Sequence, residues 1–142
     1  MADMASRISH TSVDSRNAHD QSHWWSEVLG WSEDPQDPNL PGHEECMILS
    51  PDGRERVLFI EVPEGKTVKN RLHFDLVPTD RTRDEEVERL LAHGATVVND
   101  LRDHPEGGPG AGWVTMADPE GNEFCILRSY DERPDPYTHL VV

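Results

Sequence analysis

Two stretches of this chain follow the same course, and each is led by a histidine. Ile8–Asp14 alternates as a strand around His10, and Leu72–Val77 does so around His73. Seven positions separate His10 from Asn17, as they do His73 from Asp80, and a helical run then leads to Leu29-Gly30 in one case and to His93-Gly94 in the other. Each stretch closes on a similar hairpin: Ile48-Leu49-Ser50-Pro51-Asp52-Gly53 before Val57–Val62, and Met116-Ala117-Asp118-Pro119-Glu120-Gly121 before Phe124–Leu127. A repeated unit of this size buries one face only, so two copies must pack against each other.

With 142 residues the chain has material for one domain that buries a core without staples. No run reaches the ~18 apolar residues of a membrane span, and Met1–Arg7 lacks the apolar segment of a secretory leader, so a cytoplasmic protein is expected. Cys46 and Cys125 are too few for a disulfide framework and read as reduced thiols. A formal charge of −15 argues against nucleic acid or an anionic membrane as partner, because such surfaces demand basic patches. The same charge favours solubility and could draw a cationic ligand.

Local signals place the elements. Asn17 is a good N-cap for a helix over Ala18–Leu29, with Gly30 positioned to leave it in the left-handed conformation. At 100° per residue Ala18, Gln21, Trp24, Trp25, Val28 and Leu29 share one side, the packed one. A capping box, Thr82-Arg83-Asp84-Glu85, opens a second helix that turns Val87, Leu90 and Leu91 to the core and ends at Gly94. Residues 30–44 are a Pro-rich loop, and the chain from Ser129 to Val142 is an irregular tail.

Strand alternation then sorts the polar side chains. Leu72, Phe74 and Leu76 point towards the helices, which turns His73 and Asp75 the other way. The same reading sets Leu58, Ile60 and Val62 against Phe59 and Glu61, and Phe124 and Ile126 against Glu123, Cys125 and Leu127. A curved sheet with this alternation encloses a polar cavity containing His10, Glu61, His73, Glu123 and Cys125. Two imidazoles and a carboxylate on a rigid sheet can hold a divalent cation and leave open positions for the oxygens of a substrate.

Several of these runs carry a resemblance. Arg71-Leu72-His73-Phe74-Asp75-Leu76, Leu91-Ala92-His93-Gly94-Ala95-Thr96-Val97 and Ala117-Asp118-Pro119-Glu120-Gly121-Asn122-Glu123-Phe124-Cys125 look like the vicinal oxygen chelate superfamily, which includes glyoxalase I, extradiol dioxygenases, fosfomycin-resistance enzymes and bleomycin-binding proteins. The likeness covers roughly residues 7–128 and is closest to glyoxalase-like proteins of unassigned substrate. It implies an α+β fold of two βαβββ modules, about 7–64 and 70–128, forming a curved mixed sheet around one cavity with the helices outside. It also implies a homodimer.

For the site, the resemblance implies metal ligands from the first, fourth, fifth and eighth strands. His10 and His73 match its two histidines, and Glu61 matches the fourth-strand carboxylate. The eighth-strand carboxylate, which also serves as a base in glyoxalase I, falls on Cys125. That departure leaves three readings open: Cys125 is itself a soft ligand that favours zinc, Glu123 reaches in from the same face, or no metal binds. Glu61 and Glu123 are the candidate catalytic carboxylates, and His10, Glu61, His73 and Cys125 the candidate ligands of zinc, nickel, iron or manganese. The expected function is that of a divalent-metal-dependent lyase, isomerase or oxygenase acting on a small oxygenated molecule. The alternative is a metal-free binding protein of the bleomycin-resistance type.

Other motifs carry less. His19 and His23, four residues apart, lie opposite Trp25 and Val28 on a solvated helix face. His93 suits a helix C-terminus on electrostatic grounds alone. The glycine-rich run Gly107–Gly112 precedes a strand, whereas a phosphate cradle must open a helix, so it reads as a flap or a plain linker.

Overall fold

A computed structural model describes residues 5–103, 112–135 and 137–138. The chain forms two compact units, Met1–Gly65 and Lys66–Val142, each with a mixed sheet and one helix, so the fold is α+β as expected. The first unit runs β1 (Thr11–Ser15), α1 (Ala18–Leu29), β2 (Glu45–Leu49) and β3 (Arg56–Glu61). The second runs β4 (Phe74–Leu76), α2 (Arg83–Ala92), β5 (Thr96–Asp100), β6 (Val114–Ala117) and β7 (Glu123–Ile126). Most of the glycine-rich run, read as a flap or a plain linker, lies outside the described residues.

The repeat is visible in the topology. The first sheet has the order β1-β3-β2 and the second β4-β7-β6-β5. In both, the leading strand runs parallel to the last, and the last is antiparallel to its hairpin partner. The extra strand β5 pairs with β6, and at the matching place in the first unit there is only an isolated bridge between Ser32 and Leu49. The proline-rich chain around Pro35 and Pro38 accounts for the loss, since proline has no N–H to donate to a ladder. The first unit is therefore a βαββ version of the βαβββ pattern.

Both hairpins turn by the same device. Gly53 (φ +73°) donates to the Ser50 carbonyl at 2.8 Å, and Gly121 (φ +88°) donates to the Asp118 carbonyl at 2.9 Å, a left-handed conformation that favours glycine. An aspartate braces each turn: Asp52 accepts from Ser50 Oγ and the Arg54 N–H, and Asp118 accepts from the N–H groups of Glu120 and Asn122 and from Asn122 Nδ2.

The caps read from the sequence are present. Asn17 Oδ1 accepts from the Asp20 N–H at 3.0 Å, and α1 ends at Gly30 with φ +67°. Thr82 and Glu85 exchange both capping-box hydrogen bonds. The packed face of α1 is Ala18, Gln21, Ser22, Trp25 and Val28, with Trp24 and Leu29 half-buried at its margin. On α2 the buried residues are Arg83, Glu86, Val87 and Leu90, while Leu91 is 39% exposed and does not enter the core as expected. Arg83 lies in that stripe because its guanidinium has partners, the Gly112 carbonyl and Asp84. Among the described residues no helix is long and apolar enough to cross a membrane.

Register fixes which side chains share a face. In the second sheet Phe74 pairs with Phe124, Leu76 with Ile126, Val114 with Ile126 and Met116 with Phe124, and these form the apolar layer. Asp75, Cys125, Thr115 and Glu123 lie on the other face, as alternation predicts. In the first sheet the expectation is corrected. Phe59 is fully buried, level with Cys46 and Val13, and Val57 is level with Ile48 and Thr11, while Leu58 and Ile60 are only half-buried. Cys46 meets Ser22 of α1, so the Val57–Phe59 face is the one the helix covers. In a strand with apolar residues on both faces, alternation cannot tell which face the helix takes; covering the bulkiest ring removes the most apolar area from water.

Candidate metal centre

The strand heads carry the chemistry. His73 directly precedes β4, and Asp75 is two residues on, so both project from the face that Phe74 does not use. β4 lies parallel to β7 with Asp75 opposite Cys125, and β6 on the other side sets Thr115 opposite Cys125. His73, Asp75 and Cys125 each offer a donor atom, and the three atoms lie within 4.8 Å of one another. His73 Nδ1 is 3.1 Å from Asp75 Oδ1, and Thr115 Oγ1 is 3.4 Å from Cys125 Sγ. The thiol is 6% exposed, whereas the other two side chains are about half open to water.

Electrostatics follow from this placement. Burial pushes the Cys125 thiol above the usual cysteine range; the Thr115 hydroxyl pulls it down, and the adjacent Asp75 carboxylate raises it further. A thiol in that state is a poor nucleophile, because the thiolate is the reactive form. Asp75 lies opposite Cys125 on the strand pair and 3.1 Å from His73, so it stands between thiol and imidazole, which is not the order of a nucleophilic triad. Sulfur, nitrogen and oxygen donors that now share protons are those a divalent cation would claim by displacing them. With all three donor atoms within 4.8 Å of one another, His73, Asp75 and Cys125 could be reached together by one such ion. The residues present fit a metal.

The expected ligand set is only partly brought together. His73 and Cys125 meet. Glu123 shares their face, but its carboxylate is engaged by Lys69 Nζ at 2.9 Å, and that lysine holds it below the usual carboxylate range. In the first unit His10 precedes β1, exposed, with Ser9 Oγ 3.0 Å from its Nδ1. Glu61 is at the far end of β3, level with Ser15, on the face of Val57 and Phe59. The four steps along the strand from Thr11 to Ser15 span about 13 Å, so the structure does not bring His10 and Glu61 together.

The register also shows which first-unit residues are equivalent. Thr11 pairs with Val57 as Phe74 pairs with Phe124, so His10, Ser12 and Leu58 hold the places of His73, Asp75 and Cys125. The duplication kept the histidine and not its partners. Asp75 is the site member that the sequence reading left out of the ligand set, although its spacing of two from His73 was the signal.

The chain belongs to the glyoxalase-like domain family, whose model matches residues 10–127, and so to the vicinal oxygen chelate superfamily. Among solved structures it is similar to FosX, a genomically encoded fosfomycin resistance protein from Listeria monocytogenes, with a TM-score of 0.65 and 16% identity over 92% of this chain and 97% of that one. The oxidase ChaP-H2 gives a TM-score of 0.59 and 18% identity, covering 87% and 94%. A variant of the Listeria protein, complexed with Mn(II) and 1S,2S-dihydroxypropylphosphonic acid, gives 0.62 and 16%, covering 89% and 94%. At these identities the likeness speaks to the fold. No curated protein matches the sequence significantly.

Proposed function

We propose that this chain binds a divalent metal, zinc in the first place, through His73, Asp75 and Cys125, and uses it to bind and activate a small oxygenated molecule as a lyase or isomerase. The observation that carries the reading is the convergence of three unlike donor atoms within 4.8 Å on one sheet face. A nitrogen, a sulfur and an oxygen donor suit zinc, and three protein ligands leave a position open, the arrangement of a catalytic rather than a structural site. The Mn(II) held by the Listeria relative supports a metal on this fold. A bound divalent ion supplies Lewis acidity to a carbonyl or hydroxyl oxygen.

The residues of the chain do the rest. In the absence of metal, Asp75 steadies the His73 ring through the 3.1 Å contact of its Oδ1 with Nδ1. Thr115 holds the Cys125 sulfur in place from β6. Glu123 is committed to Lys69 and stays ionised, so it cannot serve as a general acid.

Cobalt substitution tests the reading. Chelator-treated protein should take up one equivalent of cobalt or zinc by calorimetry, and the cobalt form should show a thiolate charge-transfer band that Cys125→Ser removes. His73→Ala and Asp75→Asn should each weaken uptake, and His10→Ala should retain it. Absence of uptake by the wild type would favour the metal-free binding protein, a reading that the leucine and serine of the first-unit counterpart also support.

A further inference from the structure

The chain has two lysines, Lys66 and Lys69, and both fall in the short stretch just ahead of His73. With Arg71 they make residues 65–72 a run of three cations without an acid, in a chain whose formal charge is −15. This segment is fastened to the sheet. Asn70 Oδ1 accepts from the Glu123 N–H at 3.2 Å, and Asn70 Nδ2 donates to the carbonyls of Glu123 and Leu72 at 3.2 and 3.1 Å. A side chain thus adds one more rung to the β4–β7 pairing.

That clamp places Lys69 beside the metal centre. Its ammonium donates to Glu123 Oε2 at 2.9 Å and is 63% exposed, with two N–H bonds left for another acceptor. With its lysine open to water and its glutamate half-buried, the pair contributes modestly to stability and holds a flexible cation over the open face. Glu123 and Cys125 are two residues apart on that face, about 7 Å along the strand. The charge of Lys69 is felt at Cys125, and that of Lys66 at Glu123.

We propose that Lys69, with Lys66 behind it, recognises an anionic group on the substrate, so that the ligand carries an oxygen pair at one end and a carboxylate or like anion at the other. The oxygen pair rests on the metal reading; the anion subsite does not. In a chain of formal charge −15, the sole lysine-bearing segment is placed to direct such a ligand to the site.

The presence of just two lysines makes the test direct. Protein labelled with carbon-13 at lysine Cε gives two resonances, assigned with Lys66→Arg and Lys69→Arg. Zinc-loaded protein is titrated with 2-hydroxyglutarate and with 2-hydroxyvalerate, which differ only in a distal carboxylate. The expected result is a saturable shift of the Lys69 signal with 2-hydroxyglutarate and a preference for it of about tenfold, the scale of one charge-assisted hydrogen bond. In Lys69→Met, checked for its normal thermal transition, that preference should fall below about twofold. Equal affinities for the two acids, or a linear drift of both lysine signals with ionic strength, overturn the proposal. Should the wild type fail to take up zinc, the metal reading falls alone. Inorganic phosphate with the metal-free protein then decides the subsite: saturable displacement of the Lys69 signal supports it, and none refutes it.

Discussion

Asp75 and Cys125 stand directly opposite each other on the parallel β4–β7 pair, and their counterparts on β1 and β3 are Ser12 and Leu58. One backbone pattern, used twice, therefore carries a donor pair in one unit and a hydroxyl against an aliphatic side chain in the other. The histidine that precedes each leading strand is common to both. On the metal reading proposed above, binding would turn on two side chains per unit and not on the fold, so membership of the superfamily alone does not assign a site.

The face assignment of β3 can be measured through stability. Phe59 is fully buried, whereas Ile60 is half-buried on the opposite face. Phe59→Ala should cost about 3 to 5 kcal/mol in denaturant unfolding and Ile60→Ala about half as much or less. A larger loss at Ile60 would put the helix on the other side of the strand.

The turn between β6 and β7 depends on one carboxylate. Asp118 is 4% exposed and accepts three hydrogen bonds, from the Glu120 and Asn122 N–H groups and from Asn122 Nδ2. Asp118→Ala should cost about 2 to 3 kcal/mol, because the donors lose partners in a half-buried turn. Asp118→Asn, which keeps one acceptor, should recover part of that loss; identical losses for the two variants would argue against a hydrogen-bonding role.

These features differ in how legible they were. The repeat, both N-caps, the Gly30 stop and the alternation of β4 and β7 follow from local chemistry, since an apolar residue at every second position faces a polar one across the strand. The face of β3 was misassigned because Leu58, Phe59 and Ile60 are all apolar, so the pattern there has no polar side to mark. Glu61 went with it to the wrong face. The missing first-unit strand was foreshadowed by prolines, but nothing local signals that Ser32 still bridges to Leu49. Lys69 reaches Glu123 across 54 positions of sequence, and a pairing of that range is set by tertiary structure alone.

Asp100 offers a titration with a clear sign. The Arg102 guanidinium, 2.7 Å from its Oδ2, and the Arg102 N–H hold the carboxyl down at about 2, from 3.8. Because the folded value lies below the unfolded one, the contribution is complete above about pH 4 and is lost as the pH falls towards 2. Asp100 is 44% exposed, so the pair should contribute less than ~1 kcal/mol. In Arg102→Met the Asp100 carboxyl carbon should titrate near the ordinary aspartate value by NMR. A wild-type midpoint already there would mean that the pair does not form in solution.

The equivalence of the two units makes a constructive prediction. If three donors at these register positions suffice, installing the missing two in the first unit should create a second site. Ser12→Asp and Leu58→Cys together would set a carboxylate and a thiol beside each other on the parallel β1–β3 pair, with His10 just before β1 as His73 is before β4. Leu58 is half-buried, and its loss should cost about 1 to 2 kcal/mol before metal is added. The double variant should bind close to two equivalents of cobalt and show about twice the thiolate charge-transfer intensity of the wild type, while either single variant should stay near one. Adding Cys125→Ser should return the count to one and leave the new band in place. A double variant that folds yet binds one equivalent would show that the His-x-Asp and cysteine arrangement is not enough by itself, and that the metal site of the second unit draws on residues beyond His73, Asp75 and Cys125.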